Sequence, residues 1–405
     1  MREKRIHLAL TVLLGFLPFM VFFVKTPYFN FRHLVPLLLI IDVLSLFSGK
    51  DYSSNWKSVF LLVGFHIFFL LFSFSVNIRY EKSLNILLVM LASSLELAVI
   101  SRIFLSHREM DILLIETLIF GFLLSLYFLA FQEPCEGNIH RYTVRMFHGD
   151  QQDPNYFAAL FLLPFSISIS HLKPGSLLSG KKNTVLCLSC AALCAFCIIR
   201  TGSRATFATM GIVAFVVYLA YFRSSPFFLL IIPLLLILGV LVLPSSYRDR
   251  FLNLSSYVDE SNLDRLGAWK TAMSLINLSP FFGNGFYSCY SLGTSFYSPY
   301  PMSVHDVYLE YAAEAGIFSL FALLILIFFP LFKKHDKQQV AVILSLLITS
   351  GIISSQISAF FWIYIYFLYL SSNQKEELED LFYGKVSQNY TICGDTQEVI
   401  RLFTE

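Results

Sequence analysis

The chain has 405 residues, 56% of them hydrophobic and 14% charged, and a formal net charge of +2. A soluble domain carries about 25% charged residues, so roughly half the usual solvating groups are missing. That deficit excludes a disordered, fibrous or nucleic-acid-binding chain and argues against a large soluble enzyme.

A membrane helix needs about 20 mainly apolar residues. Runs of that kind fall at 6–24, 33–48, 58–77, 84–104, 111–132, 154–172, 184–200, 205–222, 227–244, 304–332, 339–355 and 357–370, the second and last being short. The expected fold is therefore an all-α polytopic membrane protein of about twelve transmembrane helices. The first run is not a cleavable signal peptide, because it lacks a small-residue cleavage site and many spans follow it. One transmembrane domain is expected over 1–370, followed by a polar cytoplasmic tail at 371–405.

Twelve spans put both termini on one side, and the positive charges select the cytoplasm. The clearest votes are the MREKR start, GKK at 180–182 and KKHDK at 333–337. With that orientation, Arg141, Arg145, Arg200, Arg204, Arg248, Arg250, Arg265 and Lys270 lie outside, against the usual bias. Nearly all are arginine, whose planar fork of donors suits phosphate and carboxylate. As a group they predict an anion site on the outer face.

Four cysteines, Cys187, Cys190, Cys194 and Cys197, share one apolar stretch. The residues between them are small or greasy, unlike a polar zinc loop, so they read as packing residues at a helix interface. Cys135, Cys289 and Cys393 are scattered and define no disulfide framework.

Three polar breaks start helices. In HGDQQDPNYFAAL (148–160), Asp153 is a good N-cap and Pro154 suits the first helical position. In RTGSRATFA (200–208), Ser203 is the expected N-cap. Arg204 then falls in the first turn, where the helix dipole disfavours a cation unless an anion compensates it. In PMSVHDVYLEYAAEAG (301–316), Ser303 and Asp306 fit a capping box and place His305 in the first turn, where the dipole keeps the imidazole neutral. All three starts face outward in the expected topology and offer free N–H groups to an anion.

One long outer loop is expected at about 245–303. Within it Ser261 and Asp264 fit a capping box, and Leu263, Leu266, Trp269, Met273 and Ile276 form an apolar stripe that Arg265 and Lys270 avoid. This predicts an amphipathic helix lying on the outer membrane surface. The Gly- and Tyr-rich PFFGNGFYSCYSLGTSFYSPYPM that follows suits either sugar stacking or an interfacial aromatic belt.

DPNYFA, the TGSRA break, DRLGAWKTA…SPFFGNGF and VHDVYLEYAAEAG occur in this order with the long loop in place. Together they resemble the bacterial O-antigen ligase/polymerase family, membrane glycosyltransferases of the GT-C type. The resemblance lies in about 148–330. Where the family commonly has Asn after the motif histidine, this chain has Asp306.

The resemblance implies a multi-pass protein of the bacterial cytoplasmic membrane with its active site on the extracytoplasmic face. The donor would be a glycan on polyprenyl (undecaprenyl) diphosphate, transferred with inversion to an acceptor glycan or lipid. Its partners would be that lipid-linked glycan, the acceptor, membrane lipids and other polysaccharide-export proteins, with no nucleic acid. Arg204 and Arg265 match family positions that contact the diphosphate, and Arg200 joins them by proximity. His305 is the candidate to receive the acceptor hydroxyl's proton. The motif residues Asp153, Asn155, Trp269 and Asp306 complete the expected substrate site. No outward carboxylates have metal-ligand spacing, so no metal and no cofactor is expected, with arginines meeting the leaving-group charge. The alternative reading is a transporter or flippase of an anionic lipid or lipid-linked glycan. It is disfavoured because the polar signals sit at helix ends rather than at mid-membrane.

Overall fold

The computed structural model describes residues 11–14, 40, 56–76, 81–103, 105–135, 138–145, 151–172, 181–222, 241, 260–296, 303–332, 337–353 and 358–373. The spans expected at 6–24, 33–48 and 227–244 lie almost wholly outside these residues, as do Arg248, Arg250, Cys393 and the tail beyond 373.

The described chain opens with three long helices, α1 (Trp56–Val76), α2 (Glu81–Ile100) and α3 (His107–Phe131). A capping box starts α3: Glu109 Oε2 accepts from the Ser106 amide at 2.8 Å, and Ser106 Oγ accepts from the Glu109 amide. A two-stranded hairpin follows, β1 (Gln132–Cys135) and β2 (Asn138–Val144), a departure from the all-α expectation. Next come α4 (Pro154–Leu160), α5 (Leu162–Ser170), α6 (Lys181–Arg200) and α7 (Arg204–Val217), which runs into a π turn at Tyr218–Phe222. The later part holds α8 (Glu260–Leu278), α9 (Ser288–Phe296), α10 (Val307–Glu314) and α11 (Gly316–Phe328). It closes with α12 (Lys337–Ser350) and α13 (Ala359–Ser372).

Among the described residues, five helices are long and apolar enough to cross a membrane, over Lys57–Ser75, Ser83–Ile100, Glu109–Phe131, Asn183–Arg200 and Arg204–Tyr221. Large apolar side chains cover their outer surfaces; Leu61 is 74% exposed and Phe60 59%. A soluble protein rarely tolerates such contiguous apolar surface, whereas lipid is its natural solvent. Several buried hydroxyls are satisfied inside their own helices, the solution that suits a water-free environment. Thr117, Ser125, Ser166 and Ser168 each donate to the carbonyl four residues earlier.

The shortest expected span turns out to be central. From Phe360 to Leu370 every residue of α13 is buried, so the helix is enclosed by protein on all sides. Its tyrosines tie it to its neighbours: Tyr364 Oη donates to Ala159 O at 2.6 Å, Tyr366 to Ser93 O at 3.0 Å and Tyr369 to Leu326 O at 2.8 Å. The four cysteines of α6 are fully buried against α3, where Cys190 and Cys197 direct their thiols at the carbonyls of Leu118 and Ser125. They pack a helix interface, as their apolar setting predicts.

Two expected spans are broken. The 154–172 run divides at Phe161 into α4 and α5. The 304–332 run divides at Ala315 into α10 and α11, with Gly316 at φ +87°. The second break has a physical cause in the GNG of residues 283–285. The Asn284 amide donates to Ala313 O at 3.0 Å, the Gly285 amide to Glu314 O at 3.0 Å, and the Ile317 amide to Pro280 O at 2.9 Å. The Asn284 side chain adds bonds to Leu275 O at 2.7 Å and Ala313 O at 3.0 Å. One loop therefore satisfies carbonyls at the ends of both α8 and α10. A side chain on Gly283 (φ +73°) would overlap the Glu314 carbonyl, so glycine is required there. Sugar stacking or an aromatic belt does not explain this part of the motif; helix capping does.

Candidate active site

Three helix starts and the hairpin meet at one end of the bundle. Asp153 caps α4 by accepting from the Asn155 amide at 2.7 Å, and Ser203 caps α7 by accepting from the Thr206 amide. Both caps are as the sequence predicts. Arg204 occupies the first residue of α7 and is half-buried.

Arg141, on β2, joins these two helix starts. Its Nη2 donates to Asn155 Oδ1 at 2.8 Å and its Nε to the carbonyl of Thr201 at 3.4 Å. Tyr142, the next residue and on the opposite face of the strand, underlies Arg200, whose guanidinium carbon stands 3.9 Å from the ring centroid. The Arg200 Nε donates to Gln132 Oε1 at 3.0 Å. The hairpin thus straddles the α6–α7 break and fixes an arginine on each side of it.

Arg145 and Glu133 form an ion pair at 2.7 Å, and Gln151 Nε2 donates to the same carboxylate at 2.7 Å. The Gln151 bond, followed by Arg145, holds the Glu133 carboxyl below the usual carboxylate range. Of the expected outer arginines, Arg141, Arg145 and Arg200 therefore have defined partners within the protein.

At the third start, the expected capping box gives way to a different arrangement. Asp306 is itself the N-cap of α10, accepting from the amides of Tyr308 at 3.0 Å and Leu309 at 3.1 Å. His305 consequently precedes the helix rather than lying in its first turn, and adopts φ +53°. Ser303 Oγ is buried with no hydrogen-bond partner among the described residues. Left-handed backbone costs an L-residue roughly 1–2 kcal/mol, so the flanking contacts must hold it. On one side is the Asp306 cap. On the other, Trp269 Nε1 donates to the carbonyl of Val304 at 3.2 Å. The Tyr156 ring stands edge-on to the imidazole at 6.2 Å between centroids. Through Tyr156, next in sequence to Asn155, the histidine joins the α4 start and the hairpin.

Arg265 and Trp269 lie one turn apart on α8, which places Arg265 on the side of the helix that supports Val304 and His305. The helix spans Glu260–Leu278, which puts Ser261 within it. Its protein-facing side is the one opposite the apolar stripe. Gly267, Ala268, Thr271, Ala272 and Leu275 are buried, whereas Leu266 and Met273 are about half exposed. Small residues let α8 approach α9 and α10 closely, in a core of Ala272, Leu275, Cys289, Val304 and Ala313.

The sequence reading missed the hairpin, its Arg141 clamp and Tyr156. The signal for the hairpin is present in the sequence, where QEPC and NIHRYTV are separated by Glu-Gly, a short stretch with the glycine that hairpin connections favour. It is masked by the stronger membrane-span pattern on either side.

Residues 189–324 match the family described as O-antigen ligase. No curated protein and no solved structure matches the chain. The matched segment contains Arg200, Arg204, Arg265, Trp269, His305 and Asp306, while the hairpin, Asp153 and Asn155 precede it. With these residues grouped around helix starts at one end of an apolar bundle, the chain has the helices of a membrane protein, and its residues 189–324 are similar to the O-antigen ligase family.

Proposed function

We propose that the chain transfers a glycan from a polyprenyl diphosphate to an acceptor sugar at the outer leaflet of the bacterial cytoplasmic membrane, as a polysaccharide polymerase or O-antigen ligase. The observation that carries this reading is His305, held at φ +53° between the Trp269-bound Val304 carbonyl and the Asp306 cap. Strained backbone persists where its surroundings over-determine it, and such sites cluster in active centres.

The chemistry follows from the residues gathered there. The acceptor hydroxyl oxygen attacks the anomeric carbon, and the bond from that carbon to the diphosphate oxygen breaks. The lipid diphosphate leaves with the electron pair, and the anomeric configuration inverts. The hydroxyl proton passes to His305, which acts as general base. Negative charge grows on the leaving phosphate oxygens, where Arg204 and Arg265 meet it. Arg200, Asp153, Asn155, Trp269 and Asp306 bind or orient the substrate around them. Arginines in place of a divalent cation make the reaction independent of metal.

Purified protein given a polyprenyl-diphosphate glycan and an acceptor should transfer the glycan in the presence of chelator. His305→Ala and Arg265→Ala should each lower turnover at least about 10²-fold, the usual size of general-base and electrostatic contributions. Near-wild-type turnover in either variant removes that residue from the mechanism, and activity lost to chelator and restored by metal removes the arginine argument. Movement of the lipid across liposomes with no change in glycan length would replace the reading with transport. In a deletion strain, single repeat units mark a polymerase, and long unattached chains mark a ligase.

A further inference from the structure

The hairpin divides its side chains between two tasks. Gln132, Arg141 and Tyr142 reach the helices: Arg141 bonds to Asn155 and Thr201, while Gln132 and Tyr142 hold Arg200. Glu133, Arg145 and Gln151 instead bond to one another. Glu133 and Arg145 remain 32% and 46% exposed, and an ion pair that open to solvent contributes little to stability. What the trio does provide is a fixed carboxylate, guanidinium and amide side by side, an array of acceptors and donors that complements neighbouring sugar hydroxyls.

Position supports the same use. The trio is continuous with the reaction centre, because Gln151 leads within a few residues to Asp153 and Asn155, and Tyr156 faces His305. The hairpin also lies ahead of the segment 189–324 that matches the family. Chemistry common to a family belongs in its shared segment; the part of the substrate that differs from one protein to another is read elsewhere. In this fold the elsewhere nearest the site is the hairpin.

We propose that the β1–β2 hairpin is the glycan-reading element of the site, in which Glu133, Arg145 and Gln151 receive the hydroxyls of a sugar on the lipid-linked glycan. The helix starts beside it take the diphosphate. This rests on the reading above that the substrate is a lipid-linked glycan.

The test uses the full chain in nanodiscs and two probes: bare polyprenyl diphosphate, and the same lipid carrying the repeat-unit glycan of the source organism. Wild type should bind the glycan-bearing lipid more tightly. Glu133→Gln and Arg145→Gln, both close to isosteric at the bonded atoms, should weaken that binding at least tenfold, to the level of the bare lipid, and leave bare-lipid binding and the thermal midpoint unchanged. Wild-type affinity of the variants for the glycan-bearing lipid overturns the proposal, as does an equal loss of both lipids with a lowered midpoint, which marks the trio as structural. Equal binding of the two lipids by wild type also overturns it while leaving the proposed reaction standing. Failure of wild type to bind either lipid overturns both.

Discussion

Trp269→Phe isolates the contact that holds His305. The substitution removes the indole N–H that reaches the Val304 carbonyl at 3.2 Å and retains an aromatic ring against the Ala272 and Leu275 core. A hydrogen bond of this kind contributes about 0.5–1.5 kcal/mol net, and the buried carbonyl left behind adds to the loss. The left-handed conformation at His305 costs a similar amount, roughly 1–2 kcal/mol. Without the indole bond, the productive conformer therefore loses about 1–2 kcal/mol against relaxed conformers with negative φ. Each 1.36 kcal/mol is about tenfold in rate, so kcat should fall by about 5- to 30-fold. KM should stay within about twofold, because the substitution keeps the aromatic ring at 269 and removes only the bond that orients His305 through Val304. The assay is steady-state transfer between lipid-linked glycan and acceptor, with the thermal midpoint measured alongside. A kcat within twofold of wild type refutes the strain argument. So does a fall in kcat matched by loss of the folded state.

The GNG loop and the hairpin yield two further expectations. Asn284→Ala deletes the side-chain bonds to Leu275 O and Ala313 O, while Ala313 O keeps its bond from the Asn284 amide and Leu275 O that from the Ser279 amide. The cost should be about 1–3 kcal/mol, visible as a lowered thermal midpoint in detergent, and an unchanged midpoint would show that the loop does not secure the two helix ends. Glu133 ionises below its ordinary value, chiefly through the Gln151 bond, so its contribution is complete above an unfolded pKa of about 4.3 and is lost only as pH falls through the depressed folded value. Binding of the glycan-bearing lipid should therefore show no Glu133-dependent change between pH 5 and pH 8, and a wild-type transition in that window that disappears in Glu133→Gln would contradict the assignment.

Hydrophobic length and helix caps were the most readable features. Asp153 and Ser203 lie where a cap must lie, because short polar side chains before an apolar run have few other uses. The order of the motifs likewise pointed to the family found over 189–324. At His305 the pattern misled: Ser303 and Asp306 have capping-box spacing, but Asp306 can reach two amides itself and displaces the histidine from the helix. Spacing does not distinguish a residue that closes a box from one that makes the cap alone. The breaks at Phe161 and Ala315 were hidden because hydropathy averages over a window and does not register a one-residue interruption of a helix. The protein-facing side of α8 was not read for a related reason. Leu and Met dominate a hydrophobic stripe, yet close helix contact selects Gly and Ala.

Because residues 283–285 fasten α8 and α10 together while Arg141 fastens α4 to the α6–α7 break, the site is shared between two blocks that are each internally braced. They face one another across Tyr156 and His305. A change that loosens either set of bonds therefore shifts one half of the site against the other, and the pairing of Tyr156 with His305 is where that shift is felt.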